Sequence, residues 1–237
     1  MRTLFAIVAS VLAFAAQAQA PEFRVTLLGT GSPAPLMNRF GPGTLVQAGG
    51  QTLLFDCGRG TTQRLIQLRV RLGEADKLFL THLHSDHIVG IPDLWLTGWL
   101  QAAYAGRKGP FSVYGPAGTK GLMENLEKTY DWDIKTRIAD QKVPPEAVAV
   151  RVAEFKEGVV YDAGGVKGTA FEVDHGELIK PAYGFRVDYG GRSVVISGDT
   201  KFSENLIKHA AESPLIGPPD RRGGVRPSSG ARGSNDP

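Results

Sequence analysis

Three histidines and an aspartate fall within six residues, at His82, His84, Asp86 and His87, in the run THLHSDHIVG over residues 81–90. The apolar stretch Lys77-Leu78-Phe79-Leu80 comes directly before it, so four metal-binding groups stand at the mouth of a buried strand. Imidazole and carboxylate are the ligands that a borderline cation such as Zn²⁺ takes at neutral pH. In extended backbone His82 and His84 project to the same side and can grip one ion together. Asp86 and His87 follow where the strand must turn, which aims them at a second ion nearby. The competing reading is a surface turn with solvated histidines. It is disfavoured because the chain has only five histidines and three lie in this loop.

At 237 residues, 42% hydrophobic and 22% charged, the chain is long enough for one sizeable domain of ordinary composition. Residues 1–20 differ from the rest. Arg2 supplies a basic start, residues 4–16 are almost unbroken apolar sequence, and Ala18-Gln19-Ala20 is an A-x-A cleavage site. This pattern reads as a secretory signal peptide cleaved before Pro21, and implies a periplasmic or secreted protein. The apolar run is shorter than the ~20 residues of a membrane span, so no stable membrane anchor is expected. Cys57 is the only cysteine, which excludes an intramolecular disulfide, and its setting in LLFDCG suits a small buried hydrophobe.

The formal charge of +3 is carried outside the body. Arg2 lies in the leader, and Arg221, Arg222, Arg226 and Arg232 lie beyond residue 213 with Asp220 and Asp236. Residues 21–213 therefore keep 22 of the 27 cations and 22 of the 24 acids. A neutral body offers no global footprint for a polyanion. On this ground nucleic acid is disfavoured as a partner and a small ester-like molecule preferred, while a homodimer is left open.

Residues 23–28 alternate as a strand, ended by Gly29, Gly31 and Pro33. Residues 44–48 and 51–56 flank Gly49-Gly50, a hairpin signal. Leu65, Ile66, Leu68 and Leu72 fall at helical spacing over residues 61–71 with basic residues opposite, which predicts an amphipathic helix. Residues 91–105 are expected to be helical beyond Pro92. Trp95 and Trp99 there fit a core pattern, with a pocket lining as the alternative. Strands at 111–114, 148–155, 159–162, 168–173, 183–189 and 193–197, with a helix at 119–130, complete a body of hairpins and separated helices. An α+β fold follows, two mostly antiparallel sheets face to face with helices outside.

HxHxDH at His82, His84, Asp86 and His87 resembles the metallo-β-lactamase superfamily, and within it the tRNase Z and arylsulfatase-like branch. LLGTGSP at 27–33, LLFDCGRGTTQRL at 53–65, VDHG at 173–176 and SGDT at 197–200 look like motifs of that branch in the same order. The resemblance runs over residues 23–211 and implies an αββα sandwich. It implies that His82, His84 and His175 hold one metal, that Asp86 and His87 hold another, and that Asp199 bridges both. Two divalent ions about 3.5–4 Å apart, zinc first with manganese or iron as alternatives, make hydroxide available at neutral pH. Asp86 would also orient the attacking water. Asp56 and the glycines of GTGS are supporting candidates, since a metal-bound histidine needs its other nitrogen held. A helix cap near Ser203 is the competing role for Asp199.

Chains of that branch are expected to run on past Asp199 with a His-Glu pair and a late histidine. Here His209 is the only histidine after His175, on an amphipathic helix where a surface position is expected. From Pro214 the sequence is rich in Gly, Pro, Arg and Ser and cannot bury a core. An out-of-frame replacement of the native C-terminal quarter would account for both, and would leave apolar surface of the body uncovered. The function expected is a binuclear metallohydrolase acting on a phosphodiester or sulfate ester. A degenerate protein holding one metal and a di-iron redox enzyme on the same scaffold are the alternatives. Processing of tRNA is disfavoured by the leader, the neutral body and the lack of a long Gly/Lys-rich arm.

Overall fold

The computed structural model describes residues 22–211. The leader read at 1–20 and the tail read at 214–237 lie outside them. The first sheet comprises β1 (Phe23–Gly29), β2 (Gly43–Ala48), β3 (Gln51–Phe55), β4 (Lys77–Phe79), β5 (Phe111–Gly115) and β6 (Val150–Glu154), in that spatial order. The second comprises β7 (Gly158–Ala163), β8 (Val166–Glu172), β9 (Tyr183–Tyr189) and β10 (Arg192–Ile196), ordered β10-β9-β8-β7. Between and after them lie α1 (Thr61–Gln67), α2 (Ser85–Ile88), α3 (Ile91–Gly98), α4 (Thr119–Thr129), α5 (Asp131–Gln141), α6 (Pro145–Val148) and α7 (Glu204–Ala211).

The second sheet is antiparallel throughout, but the first corrects the expectation of mostly antiparallel pairing. Its β1–β2 and β2–β3 pairs are antiparallel, while β3–β4, β4–β5 and β5–β6 are parallel. Each parallel pair is joined by a helix-bearing crossover, the length that parallel pairing requires. The expected hairpins form at Gly49-Gly50 and Gly190-Gly191, where all four glycines have positive φ, as a two-residue turn matched to the strand twist demands.

Alternation along the strands builds two cores. Val46, Leu53, Phe55 and Phe79 face Phe185, Val187 and Tyr161 between the sheets. Leu45, Leu54, Leu78 and Val113 point the other way and bury Leu65, Leu94, Trp95 and Met123 of the helical layer. Trp95 and Trp99 are fully buried, and their indole N–H groups donate to Val148 O and Pro144 O. They belong to the core. Both α1 and α3 are shorter than the spacing suggests, because the chain turns at Leu68 and at Trp99.

On the outer face of the second sheet, α7 corrects the surface reading of His209. Its ring stacks on buried Phe171, with centroids 4.4 Å apart and planes at 11°, and its carbonyl accepts from Arg186 Nη1. Val25 pairs with Val46 and so shares the face that looks between the sheets, yet Val25 is 41% and Leu27 66% exposed. They lie on β1, an edge strand, as β10 is of the second sheet.

Candidate metal centre

β4 stops at Phe79, the chain bends at Thr81, and His84 is extended just before α2 begins. This stretch brings His82 and His84 together, with Nε2 of His82 2.9 Å from Nδ1 of His84. His175, in the loop after β8, brings its Nε2 to 3.2 Å from the same His84 nitrogen. The ligand atoms of His82, His84 and His175 all lie within 4.8 Å of one another, and those of His82, His87 and Asp199 do the same. His82 is common to both groups.

The ligand loop is fixed from behind by Asp56, which ends β3 with a left-handed φ of 58°. Its carboxylate accepts from Nδ1 of His87 at 2.8 Å, from the Thr81 amide at 2.9 Å and from the Thr81 hydroxyl at 2.9 Å. The Thr81 hydroxyl, with its proton given to Asp56, accepts from His82 Nδ1 at 2.9 Å. His82 and His87 thus each have the inner nitrogen held, leaving Nε2 turned toward the cluster. Asp56 takes the supporting role the resemblance implied. Sequence reasoning passed over Thr81, whose only signal was its place between a strand and the first histidine.

The other side of the site is delivered by the second sheet. Tyr183 N at the start of β9 donates to Thr81 O, and Gly198 packs against Thr81 with φ 59°. A Cβ there would lie 2.7 Å from Tyr183 O, so only glycine lets the chain pass and present Asp199. Asp199 Oδ2 stands 3.5 Å from His87 Nε2 and 3.9 Å from His175 Nε2. It does not cap a helix; the Ser203 hydroxyl does, accepting from Leu206 N. Asp86 is buried with Oδ2 3.8 Å from His87 Nε2, and belongs to neither group of three. The glycines of GTGS act at one remove. Gly31 N and Thr30 N donate to Phe40 O and Arg39 O, and Gly41 in turn packs against the Asp86 carbonyl.

Two observations test whether these residues suit a cation. Nε2 of His87 is buried with no hydrogen-bond partner, since 3.5 Å to Asp199 is an ion-pair distance. Leaving such a group unsatisfied costs about 1–3 kcal/mol. The spacings of 2.9 and 3.2 Å among the histidine nitrogens also approach the separation of about 3.3 Å between ligands at ~2.05 Å on tetrahedral zinc. The residues fit a divalent ion.

Electrostatics agree. By its protein surroundings alone, burial and the neighbouring His87 and His84 push His82 down to about 3, making it a neutral donor. Burial also pushes His87 down, but Asp199 and Asp56 outweigh it and lift that imidazole to about 10. The His87 ring beside Asp199 holds this carboxyl below its usual range, against the opposing effect of burial. A histidine between two carboxylates sits in a field that favours positive charge at Nε2, whether a proton or a metal supplies it. Beside His82 and His84 a cleft of about 220 Å³ opens, walled by Leu83, Pro116, Leu178 and Ile179 and carrying Lys180. Cys57, by contrast, is fully buried, and burial pushes its thiol well above the usual range, as a core residue requires.

Two facing sheets with helices outside and a histidine–carboxylate cluster at one sheet edge define a metallo-β-lactamase fold of the tRNase Z-like kind. The crystal structure of the short form of human tRNase Z matches with a TM-score of 0.58 at 26% identity, over 78% of this chain and 73% of that one. The metallo-β-lactamase fold protein YhfI of Bacillus subtilis matches at 0.59 and 24% identity, over 80% and 68%. Residues 23–216 match the family model described as Anti-Pycsar protein Apyc1, and the chain belongs to that family. It is also 44% identical over 190 residues to ribonuclease Z of Mycolicibacterium gilvum, and 45% identical to that of Mycobacterium avium. These alignments cover 79% of this chain and only 65% and 66% of those relatives, so the chain spans just under two thirds of their length.

Those relatives are named ribonucleases, which overturns the expectation that nucleic acid is disfavoured as a partner. The neutral sum over residues 21–213 is a poor guide because a polyanion responds to charge within a Debye length of about 8–10 Å. A neutral total can still be segregated into faces.

Proposed function

We propose that this chain is a metal-dependent hydrolase that opens phosphodiester bonds, with RNA among its substrates. The observation that carries the reading is the meeting of two three-ligand groups at His82, beside a buried His87 Nε2 that has no hydrogen-bond partner and faces Asp199 at 3.5 Å. The ribonuclease Z relatives support a phosphodiester over a sulfate ester.

In this reading His82, His84 and His175 would hold one divalent ion, and His87 and Asp199, with the buried Asp86 beside them, would hold a second, zinc being favoured by the nitrogen-rich donors. Ions so placed supply Lewis acidity and bring the ionisation of water toward neutral pH. The protein does the rest. Asp56 keeps a proton on His87 Nδ1, and Thr81 accepts one from His82 Nδ1, so both rings present Nε2. Asp86, buried beside His87, orients the attacking water. The cleft by His82 and His84 takes the leaving group, where Leu83 and Ile179 exclude water and Lys180 offsets phosphate charge.

The test is metal content per chain together with turnover of bis-p-nitrophenyl phosphate and p-nitrophenyl sulfate on the same sample. Near two ions per chain are expected, with phosphodiester turnover lost in Asp199→Ala. One ion or none, without turnover, would sink the hydrolase reading in favour of a degenerate binding protein. Preferential turnover of the sulfate would overturn the choice of ester.

A further inference from the structure

The neutral body hides a segregated one. Residues 58–73 hold Arg59, Arg64, Arg69 and Arg71 and no acidic residue, and this stretch contains α1 on the outside of the first sheet. Arg59, Arg69 and Arg71 are exposed, with the Arg71 guanidinium against Gly106, and Arg39 is exposed on the loop before β2. Arg39 and Arg64 line a cavity of about 390 Å³ together with Leu27, Thr30, Asn38 and Gln67. The Arg64 guanidinium is pre-organised, lying 4.6 Å over the Phe40 ring and donating to Gln67 Oε1 at 2.8 Å. Among the described residues no carboxylate forms an ion pair with Arg39 or Arg64. Asp93, which α1 meets through Thr62, lies on the opposite face of that helix.

We infer that this arginine face is a docking surface for a nucleic-acid strand, outside the metal cluster. Guanidinium forks match phosphate geometry. Thr30, Asn38 and Gln67 offer polar contacts to phosphate and sugar. The link to the cluster is backbone: Gly41 N donates to Arg59 O, Gly58 N to Pro42 O, and Cys57 N to His87 O. The partner class rests on the phosphodiesterase reading; the surface itself does not.

The experiment is fluorescence anisotropy of a fluorescein-labelled single-stranded RNA titrated with the full chain at several salt concentrations, probe length being checked on a gel. Salt-dependent binding is expected. It should weaken about tenfold in R39Q/R64Q, with a log–log salt slope shallower by about 1.4, or ~0.7 for each phosphate that the variant no longer neutralises. Since Arg64 also packs on Phe40, R39E alters one exposed side chain and keeps the test valid should the double variant unfold. Wild-type affinity and slope in R39E overturn the inference, as does binding to phosphatidylglycerol vesicles without binding to RNA. Wild-type turnover of bis-p-nitrophenyl phosphate separates the two readings. Turnover without RNA binding defeats the docking surface alone, whereas arginine-dependent binding without turnover defeats the hydrolase alone.

Discussion

At the scale of single residues the site depends on groups one step behind its ligands. Asp56 and Thr81 touch no common cation, yet together they fix which nitrogen His82 and His87 present. Asp56→Asn can place an amide N–H against His87 Nδ1, removing the acceptor that sets the tautomer. The expected result is a loss of metal affinity of about 10–100-fold, read by competition with a chromophoric chelator, with urea unfolding showing a folded protein. Undiminished affinity would mean that His87 is held by something else. Phe79 supports the same loop from the core, stacked on Tyr114 at 4.6 Å and on Phe55 at 5.0 Å, with Tyr161 and Phe185 edge-on. Phe79→Ala leaves a cavity between the sheets and should cost about 3–5 kcal/mol in urea unfolding.

At the scale of elements the loops after β8 and β10 carry the second half of the site, and Gly198 is where they are most constrained. Gly198→Ala would drive a Cβ against Tyr183 O in a left-handed conformation. A cost of about 1–3 kcal/mol is expected, together with fewer metal ions per chain because Asp199 is displaced. Stability and metal content both unchanged would show that the loop relaxes freely. The elements also show where pattern reading stops. α5 has no fully buried residue, and its apolar stripe is narrow, Ile134 and Ile138 packing half-buried against the core. Its other signal is the i,i+4 pairs Asp131–Lys135 and Asp133–Arg137.

At the scale of the whole molecule the second sheet is tied together by charge. Burial pushes the Asp188 carboxyl up, but Arg186 and Ser193 outweigh it and hold it below the usual range. The Glu172 backbone N–H does the same for Glu157, joined by Asn205 against a small opposing effect of burial. Both folded values lie below the unfolded ones, so the stability they contribute is complete above about pH 4. It is lost as pH falls from there through the folded values. D188N/E157Q should therefore lose urea stability less steeply than wild type below about pH 4, and an identical slope would exclude these carboxylates as the cause. Across the molecule, the sequence by itself determined that His82, His84, Asp86 and His87 stand together, because HxHxDH is local. It also determined the hairpins, because a glycine pair tolerates the positive φ that a two-residue turn demands. Tertiary structure alone decided strand direction in the first sheet, since alternation is identical in parallel and antiparallel strands. It alone brought His175 and Asp199 to His82, put Asp56 and Thr81 behind the histidines, and set Arg39 beside Arg64 of α1. Each of these depends on residues far apart in the chain, whose meeting is set by packing and register and leaves no local pattern.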